Sequence, residues 1–422
     1  MRGGAPPAPL SGHPKPVPTP KRSSRAAFQF TGFRLYMGVR FLVGAASEMM
    51  AVAVAWQVYG MTRRAMDLGL VGLVQFLPSM LLFLVSGHAA DRFPRQRILQ
   101  VCCAAFAASA GLLLFFSAEG IRSVYPIYAA LAFSGAVRAF NMPTGQAFLP
   151  LLVPEEHFPN AVTWGASIFQ TAAILGPAAG GALYAWTGSP APVYACACLA
   201  YLVALGLVTA VRVHAPQRRR GATSLRTVAE GLQYVWKNKS LLGAISLDLF
   251  AVLLGGAVAL LPIFARDILA SGAASLGALR SAPAVGAILT AVFVAHRPLG
   301  KKAGVAMLWC VAGFGVFTIV FGLSRNLMLS LAALALVGAF DMVSMIVRQT
   351  IVQLATPDEM RGRVSAVHSI FVGASNELGQ FESGVTAQWF GAVGSVIIGG
   401  VGTLAVVALW AWLFPALRET EL

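Results

Sequence analysis

Charge is what this chain has least of. Only 11% of its 422 residues are Asp, Glu, Lys or Arg, while 57% are apolar or aromatic; a soluble domain carries roughly a quarter charged residues. That shortage excludes a water-soluble enzyme. Cysteine is also sparse, and Cys102, Cys103, Cys196, Cys198 and Cys310 all lie in apolar runs, where a thiol behaves as a small hydrophobe. Neither a disulfide framework nor a metal-ligand spacing is present, so no metal or other cofactor is expected. A G-x-x-x-x-G-K-[S/T] phosphate loop is missing too: Gly300-Lys301 lacks the preceding glycine, which argues against ATP-driven transport. No short apolar region with a cleavage site precedes the first long apolar segment, so no cleaved signal peptide is expected.

What the chain has in abundance is long apolar runs. A bilayer-spanning helix takes about 20 such residues, and the punctuation between runs predicts helices at 33–59, 67–88, 97–117, 123–150, 159–186 and 191–211. A second set is predicted at 240–265, 274–296, 302–323, 326–348, 362–391 and 394–416. The expected fold class is therefore an all-α polytopic membrane protein with twelve transmembrane helices. Residues 1–32 open with a Pro-rich basic stretch that cannot build a core and is expected to be a disordered tail, and 417–422 form a second tail. Residues 33–212 and 240–416 would each be a six-helix bundle. The linker, 213–239, carries Leu225, Val228, Leu232, Val235 and Trp236 on one helical face with Ser224 as N-cap. That pattern is either a surface helix on the inner leaflet or a charged linker with incidental helicity.

The excess of basic residues, 31 against 16 acids, is explained by where they lie. With the amino terminus inside, 23 of them fall on the inner side, five, Arg63, Arg64, Arg122, Arg266 and Arg325, outside, and three, Arg40, Arg138 and Arg280, within spans. Cytoplasmic loops collect Lys and Arg in this way. Both termini are expected in the cytoplasm, the chain in the inner membrane of a bacterium, and no nucleic-acid partner is needed. Arg63-Arg64 departs from the rule. Trp56, Trp186, Trp389 and Trp410 fall near predicted span ends and suit an interfacial belt, and His88, His157, His214 and His296 fall at cytoplasmic edges.

The chain also repeats itself. Ala139-Phe140-Asn141-Met142 returns as Ala339-Phe340-Asp341-Met342, Pro154-Glu155-Glu156 as Pro357-Asp358-Glu359, and Ser167-Ile168-Phe169 as Ser369-Ile370-Phe371, all at an offset near 200; Glu48 aligns with Asp248. Their order points to duplication of a six-helix half. Two such halves around a midplane site are the architecture of an alternating-access carrier.

Three segments carry a family resemblance. Gly87-His88-Ala89-Ala90-Asp91-Arg92-Phe93-Pro94-Arg95-Gln96-Arg97 is similar to the loop motif Gly-x-x-x-Asp-Arg-x-Gly-Arg-Arg/Lys, with Pro94 in place of the usual glycine. Gly176-Pro177-Ala178-Ala179-Gly180-Gly181 resembles the end of an antiporter motif whose earlier glycines are replaced by Thr163 and Ala172. Pro357-Asp358-Glu359-Met360-Arg361-Gly362-Arg363-Val364 resembles an Arg-Gly-Arg signature. Together they resemble the major facilitator superfamily, and within it the branch holding enterobactin exporters and macrolide efflux proteins. The resemblance implies two pseudo-symmetric bundles whose first, fourth, seventh and tenth spans line a cavity. By charge alone, Asp91 would pair with Arg361 or Arg363, or cap the eleventh helix, as a contact made and broken during gating, beside Gly87, Arg92 and Arg95. Gly176, Pro177, Gly180 and Gly181 allow close helix packing, with or without a bearing on transport direction.

Seven ionisable residues fall well inside spans: Glu48, Arg138, Asp248, Arg280, Asp341, Glu377 and Glu382. Unpaired and ionised, each would cost about 3 kcal/mol on an insertion scale. They must face a wet cavity, pair, or carry protons. Glu48 and Asp341 are the candidates for proton coupling, and Arg138 with Asn141 the candidate charge partner or anchor for an anionic group. Asp248, Asn376, Glu377, Gln380 and Glu382 are candidates for substrate binding or switching, and His368 for a proton path. The competing view is a set of buried pairs that fix helix register. The expected function is proton-coupled export of a small organic molecule, such as a siderophore, drug or metabolite, with protons and the bilayer as the other partners. An importer or facilitator of the same fold is the alternative; a polytopic membrane enzyme would need a catalytic cluster at one face, which the mirrored Glu155, Glu156, Asp358 and Glu359 do not provide.

Overall fold

The computed structural model describes residues 26–120, 123–212, 225–296 and 303–419, apart from the side chains of Phe83, Leu84, His88, Ala90, Asp91, Leu225, Arg226, Thr227 and Asp358. The chain is helical throughout these residues. In order run α1 (Thr31–Thr62), α2 (Ala65–Leu81), α3 (Phe83–Arg92), α4 (Arg95–Ala118), α5 (Tyr125–Phe148), α6 (Phe158–Thr187) and α7 (Ala191–Ala210). A linker helix, α8 (Leu225–Lys237), leads to α9 (Lys239–Leu254), the short α10 (Leu261–Ile263), α11 (Gly272–His296), α12 (Ala303–Leu323), α13 (Leu327–Leu354), α14 (Asp358–Leu413) and α15 (Pro415–Arg418).

Among the described residues, nine stretches are long and apolar enough to cross a membrane. The remaining three of twelve spans have local causes. Pro78 lies inside α2, and the helix is interrupted at Leu82, so α2 and α3 share one span; a proline removes a backbone donor and crowds the preceding turn. The polar side chains of Arg138, Asn141 and Gln146 dilute the apolar character of α5. Two spans merge in α14, divided only at Gly391 (φ 74°, ψ 163°), the one non-helical residue within it.

Packing repeats one wiring pattern twice. In the first half α1 lies on α6 and α7, α4 on α5 and α7, and α2 on α5; in the second α9 lies on α14, α12 on α13 and α14, and α11 on α13. Both arms of α14 touch α9, since Gly379 abuts the carbonyls of Val252 and Leu253 while Gly399 abuts that of Leu254. The halves meet along two seams, α6 against α11 and α2 against α14. At the first, a Cβ on Gly181 would lie 2.6 Å from the Ala273 carbonyl oxygen and 2.9 Å from the Gly277 Cα. At the second, one on Gly384 would lie 3.0 Å from the Ala65 oxygen and 2.7 Å from the Gly69 Cα. The same crossing is thus built at both seams, and small residues make it, as expected where lipid supplies no hydrophobic drive between helices.

Among the described residues, four hydrophobic cores hold the molecule. One belongs wholly to the first half around Tyr194 and Phe106, one to its terminal end around Phe33 and Phe148, and one to the second half around Leu247 and Val347. The fourth mixes the halves: Val52, Tyr59 and Leu68 pack with Leu260, Phe264, Leu279 and Phe321. It lies at the end away from the termini, called the far end below.

Several boundaries differ from the sequence-based expectation. Residues 26–32, expected within the tail, form a 3-10 turn and the start of α1; Ala27 is fully buried, its amide donates to Asn160 Oδ1 (3.1 Å), and Phe28 meets Trp164 edge-on. Leu417, expected in the carboxyl tail, is buried in α15. The seventh span is not continuous: α9 ends at Gly255-Gly256, where Ser383 Oγ donates to the freed Gly256 carbonyl (2.9 Å), and the chain resumes through α10 into a π-helical turn, Phe264–Ile268. The linker pattern forms α8, whose Val235 is buried while Trp236 is exposed; Ser224 lies outside the described residues. Trp186 and Trp389 are exposed at span ends, whereas Trp410 donates to Ser246 Oγ (3.0 Å).

Candidate functional site

A cavity of about 380 Å³ lies between the halves. Only seven of its lining residues, Val258, Ala259, Pro262, Leu276, Arg280, Glu377 and Gln380, come from the second half; the rest come from the first. Val52, Leu68, Ala259 and Leu276, members or neighbours of the mixed core, close it at the far end. Toward the termini its wall is the first half alone, with Tyr36, Arg40, Gln146 and Phe169. The broken seventh span supplies Val258, Ala259 and Pro262, an instance of irregular backbone that is tolerated at membrane depth because it faces a cavity.

Of the predicted residues, Glu48, Arg138, Asn141, Glu377 and Gln380 all line this cavity. Two ion pairs bridge the halves across it. Arg280 Nε donates to Glu48 Oε2 at 3.2 Å, from α11 to α1. Arg138 Nη1 donates to Glu377 Oε1 at 3.0 Å, from α5 to α14, and Gln380 Nε2 donates to the second carboxylate oxygen (3.3 Å). Arg138 keeps half of its side-chain surface accessible, so the charge is solvated rather than buried in hydrocarbon. Gly176 holds Glu48 in place from behind: a Cβ there would come within 2.7 Å of the Glu48 Cβ and 2.8 Å of the Ala45 oxygen. Gly180 backs onto Met49 in the same way, and the Pro177 carbonyl lies against Gly277.

The structure parts Asp248, Asp341 and Glu382 from this group. Asp248 and Asp341 line a separate pocket of about 10 Å³ inside the second half, with Ser344 and Phe340. Asp248 is ion-paired to Arg348, whose Nε donates to His368 Nε2 (3.0 Å). Ser344 Oγ is buried there with no hydrogen-bond partner among the described residues. Glu382 lies outside the lining of either pocket. The reason is register. Gly135 rests on the Gln75 carbonyl and Gly338 on the Pro283 carbonyl, 203 residues apart, so Asp341 takes the place of Arg138, not of Asn141. Between α1 and α9 the shift is larger: Met49 meets Gly180 as Gly256 meets Gly379 and Ser383, and Asp248 falls two turns nearer the termini than Glu48. The match of Ala139 with Ala339 and the pairing of Glu48 with Asp248 set the offset at 200, too small, whereas the match of Pro154 with Pro357 already carries the structural 203.

Sequence reasoning missed the contacts that hold the far end together. Tyr59 Oη of α1 and Nη1 of Arg63, the residue just past its end, both donate to Asp267 of the second half, the latter at 3.1 Å. Arg266 stacks its guanidinium over Trp56, 5.3 Å from the ring centroid. Arg63, anomalous by the charge rule, therefore has a structural partner, and it sits at φ 53° where α1 stops. Two more contacts bridge the halves in mid-span: Gln170 Nε2 to the Ala284 carbonyl (3.2 Å) and Ser281 Oγ to that of Ile174 (2.7 Å). Arg40 was also missed as a lining charge, although it stands in the apolar run of the first span.

The loop-motif residues sit at the terminal end. Gly87 and Arg92 lie on α3, and the side chain of Asp91 lies outside the described residues. Arg95 is buried and donates to the Ala147 carbonyl at 3.1 Å, capping the end of α5. Arg363 pairs with Glu230 of α8 at 3.0 Å, and Arg361 is exposed.

A family model described as transmembrane secretion effector matches residues 23–422. The enterobactin exporter EntS of Escherichia coli O1:K1 is 24% identical over 372 residues, 88% of this chain and 85% of its own. The multidrug efflux pump Tap of Mycolicibacterium fortuitum is 26% identical over 400 residues, 90% of this chain and 94% of its own. Among solved structures, a bacterial homolog of the lysosomal transporter Spinster in an inward-facing, unoccupied conformation shares the fold, with a TM-score of 0.70 and 14% identity over 94% of this chain and 98% of that one.

Proposed function

The chain belongs to the transmembrane secretion effector family of major facilitator transporters, a family of carriers rather than enzymes, and from that premise we propose that it exports a small organic molecule in exchange for protons. It would do so from the inner membrane of a bacterium with both termini in the cytoplasm. One observation carries the reading: charged side chains from both halves face each other across a cavity closed at the far end, with the Glu48–Arg280 and Arg138–Glu377 pairs as the links. The likeness to EntS and Tap supports the outward direction.

The pairs supply a means of coupling. A carboxylate beside a guanidinium stays ionised, and one left alone in an apolar wall takes up a proton. Glu48 is paired here, with the terminal end of the cavity bounded by one half only. When the halves part at the far end, Arg280 is drawn away and Glu48 becomes a proton acceptor facing the outside. Closing again displaces that proton inward, and each proton moved down a 100 mV potential releases about 2.3 kcal/mol. Asp341, beside the Ser344 hydroxyl that has no partner among the described residues, in a space of about one water, is a second proton site in the same scheme. Asp91 and Arg361 would gate the terminal end.

Everted membrane vesicles with an acridine dye reporting the pH gradient test this. A panel of siderophores and antibiotics is added to energised vesicles. At least one compound is expected to dissipate the gradient with the wild-type chain and not with Glu48→Gln, and cells expressing the chain are expected to accumulate less of it. Equal responses from wild type, Glu48→Gln and Asp341→Asn would remove proton coupling, and higher accumulation would make the chain an importer.

A further inference from the structure

The charges of the central cavity do not cancel. Its lining holds three guanidiniums, Arg40, Arg138 and Arg280, and two carboxylates, Glu48 and Glu377. Both carboxylates are taken, by Arg280 and Arg138. Arg40 is left over: among the described residues no carboxylate or hydrogen-bond acceptor is assigned to it. It stands two turns from Glu48 on α1, on the side of the cavity toward the termini. Its position is built rather than incidental. The guanidinium lies in a notch left by Gly165 of α6, where a Cβ would come within 3.2 Å of Nη1. A cation in a span is costly unless solvated or paired, so a guanidinium held against a cavity wall without a counter-charge is a place for an anion.

We infer that the transported molecule is an organic anion, and that Arg40 is its first charged contact. This rests on the transporter reading given above. The anionic group, a carboxylate, phenolate or sulfonate, docks on the planar fork of Arg40, which suits such oxygens by geometry as well as charge. Arg138, half accessible across the cavity, is the second donor. An anion that reaches Arg138 competes with Glu377 for it and so loosens one of the two ion pairs that bridge the halves across the cavity. Loading the cavity with its proper substrate would thereby favour parting at the far end, while a cationic molecule would leave that link intact and be repelled by Arg40. The apolar wall formed by Val43, Leu131 and Phe169 accommodates an aromatic or aliphatic body behind the charged group.

Two xanthene dyes of similar scaffold and opposite charge, fluorescein and rhodamine 123, test the sign directly. Equilibrium binding to the purified full chain in nanodiscs is read by fluorescence anisotropy, and movement of the dye is read separately in proteoliposomes carrying a pH gradient. Fluorescein is expected to bind saturably, at least tenfold tighter than rhodamine 123. Arg40→Gln is expected to weaken fluorescein binding at least tenfold and to strengthen rhodamine 123 binding, from which it removes a repelling charge, Arg40→Lys to restore part of the fluorescein loss, and Gly165→Val, which fills the notch, to mimic the fluorescein loss of Arg40→Gln. Tighter binding of rhodamine 123, absence of saturable fluorescein binding, or an unchanged fluorescein affinity in folded Arg40→Gln would overturn the anion site. Fluorescein binding that depends on Arg40 without any gradient-driven movement would uphold the anion site and count against transport. Movement of rhodamine 123 alone would uphold transport and sink the anion site.

Discussion

Asp267 is shared by two donors from the opposite half, and the donors are not equal. Arg63 and Asp267 are both well exposed, 53% and 39% of their side-chain surface, and an exposed pair contributes about 0 to 1 kcal/mol. The Tyr59 hydroxyl comes from a residue only 6% exposed, and a hydrogen bond to a charged group contributes about 1.5–3 kcal/mol. Tyr59→Phe should therefore open the far end about ten- to a hundredfold more often, and Arg63→Ala only a few-fold. Val258 lines the cavity just beneath this closure, so Val258→Cys in a cysteine-free background, labelled by an impermeant maleimide applied to each side of the membrane in turn, reads the change. Equal labelling rates with tyrosine and with phenylalanine at this position would show that the mixed apolar core alone holds the far end shut. At this scale the sequence reveals what stands out from its surroundings. Glu48, Arg138 and Glu377 are legible because a charge inside an apolar run is expensive. Asp267 and Arg63 fall just outside the predicted spans, where charge is ordinary, and their pairing depends on a fold that joins residues 204 apart.

Among the elements, the longest helix is the one whose course depends on a single residue. At Gly391 the backbone takes φ 74° and ψ 163°, a region that only glycine enters without strain. Gly391→Ala should cost about 1–3 kcal/mol for that reason, although nothing among the described residues lies within 4 Å to obstruct a methyl group. Gly373 is the control on the same helix: it has open space as well but ordinary helical backbone, so Gly373→Ala should be neutral or stabilise by about 0.5–1 kcal/mol. Thermal unfolding followed by intrinsic fluorescence in detergent should thus separate the two in opposite directions. A shared loss would assign the effect to packing rather than backbone strain. The turn at 391 was readable beforehand because the apolar run there exceeds any single crossing. The break at Gly255-Gly256 was not, because the run continues through it and the freed carbonyl is satisfied by Ser383, a residue 127 positions away. Pro78 was visible as a residue, but whether a proline ends a span or bends it is decided by the helices packed around it.

For the whole molecule, the twin glycine crossings define how the halves can move. Gly181 on Gly277 and Gly384 on Gly69 bring backbone against backbone with almost no side chain between, so each half can roll on the other without repacking large groups. The core that mixes the halves lies on one side of these crossings, and the cavity wall made by the first half alone lies on the other. Rolling about the crossings must then close one end as it opens the other. Spin labels at Val162 and Val292, exposed on α6 and α11 toward the termini, and at Trp186 and Ala274, exposed toward the far end, measure both ends of one seam. Glu48→Gln, which removes a link between the halves, should shift the populations so that the 162–292 distance shortens while the 186–274 distance lengthens. The reciprocity is the informative part, because loss of an ion pair that merely loosened the fold would broaden both distributions without moving them in opposite senses. Two distances that lengthened together would mean that the halves separate instead of rolling, and the glycine crossings would be packing surfaces with no part in the transport cycle.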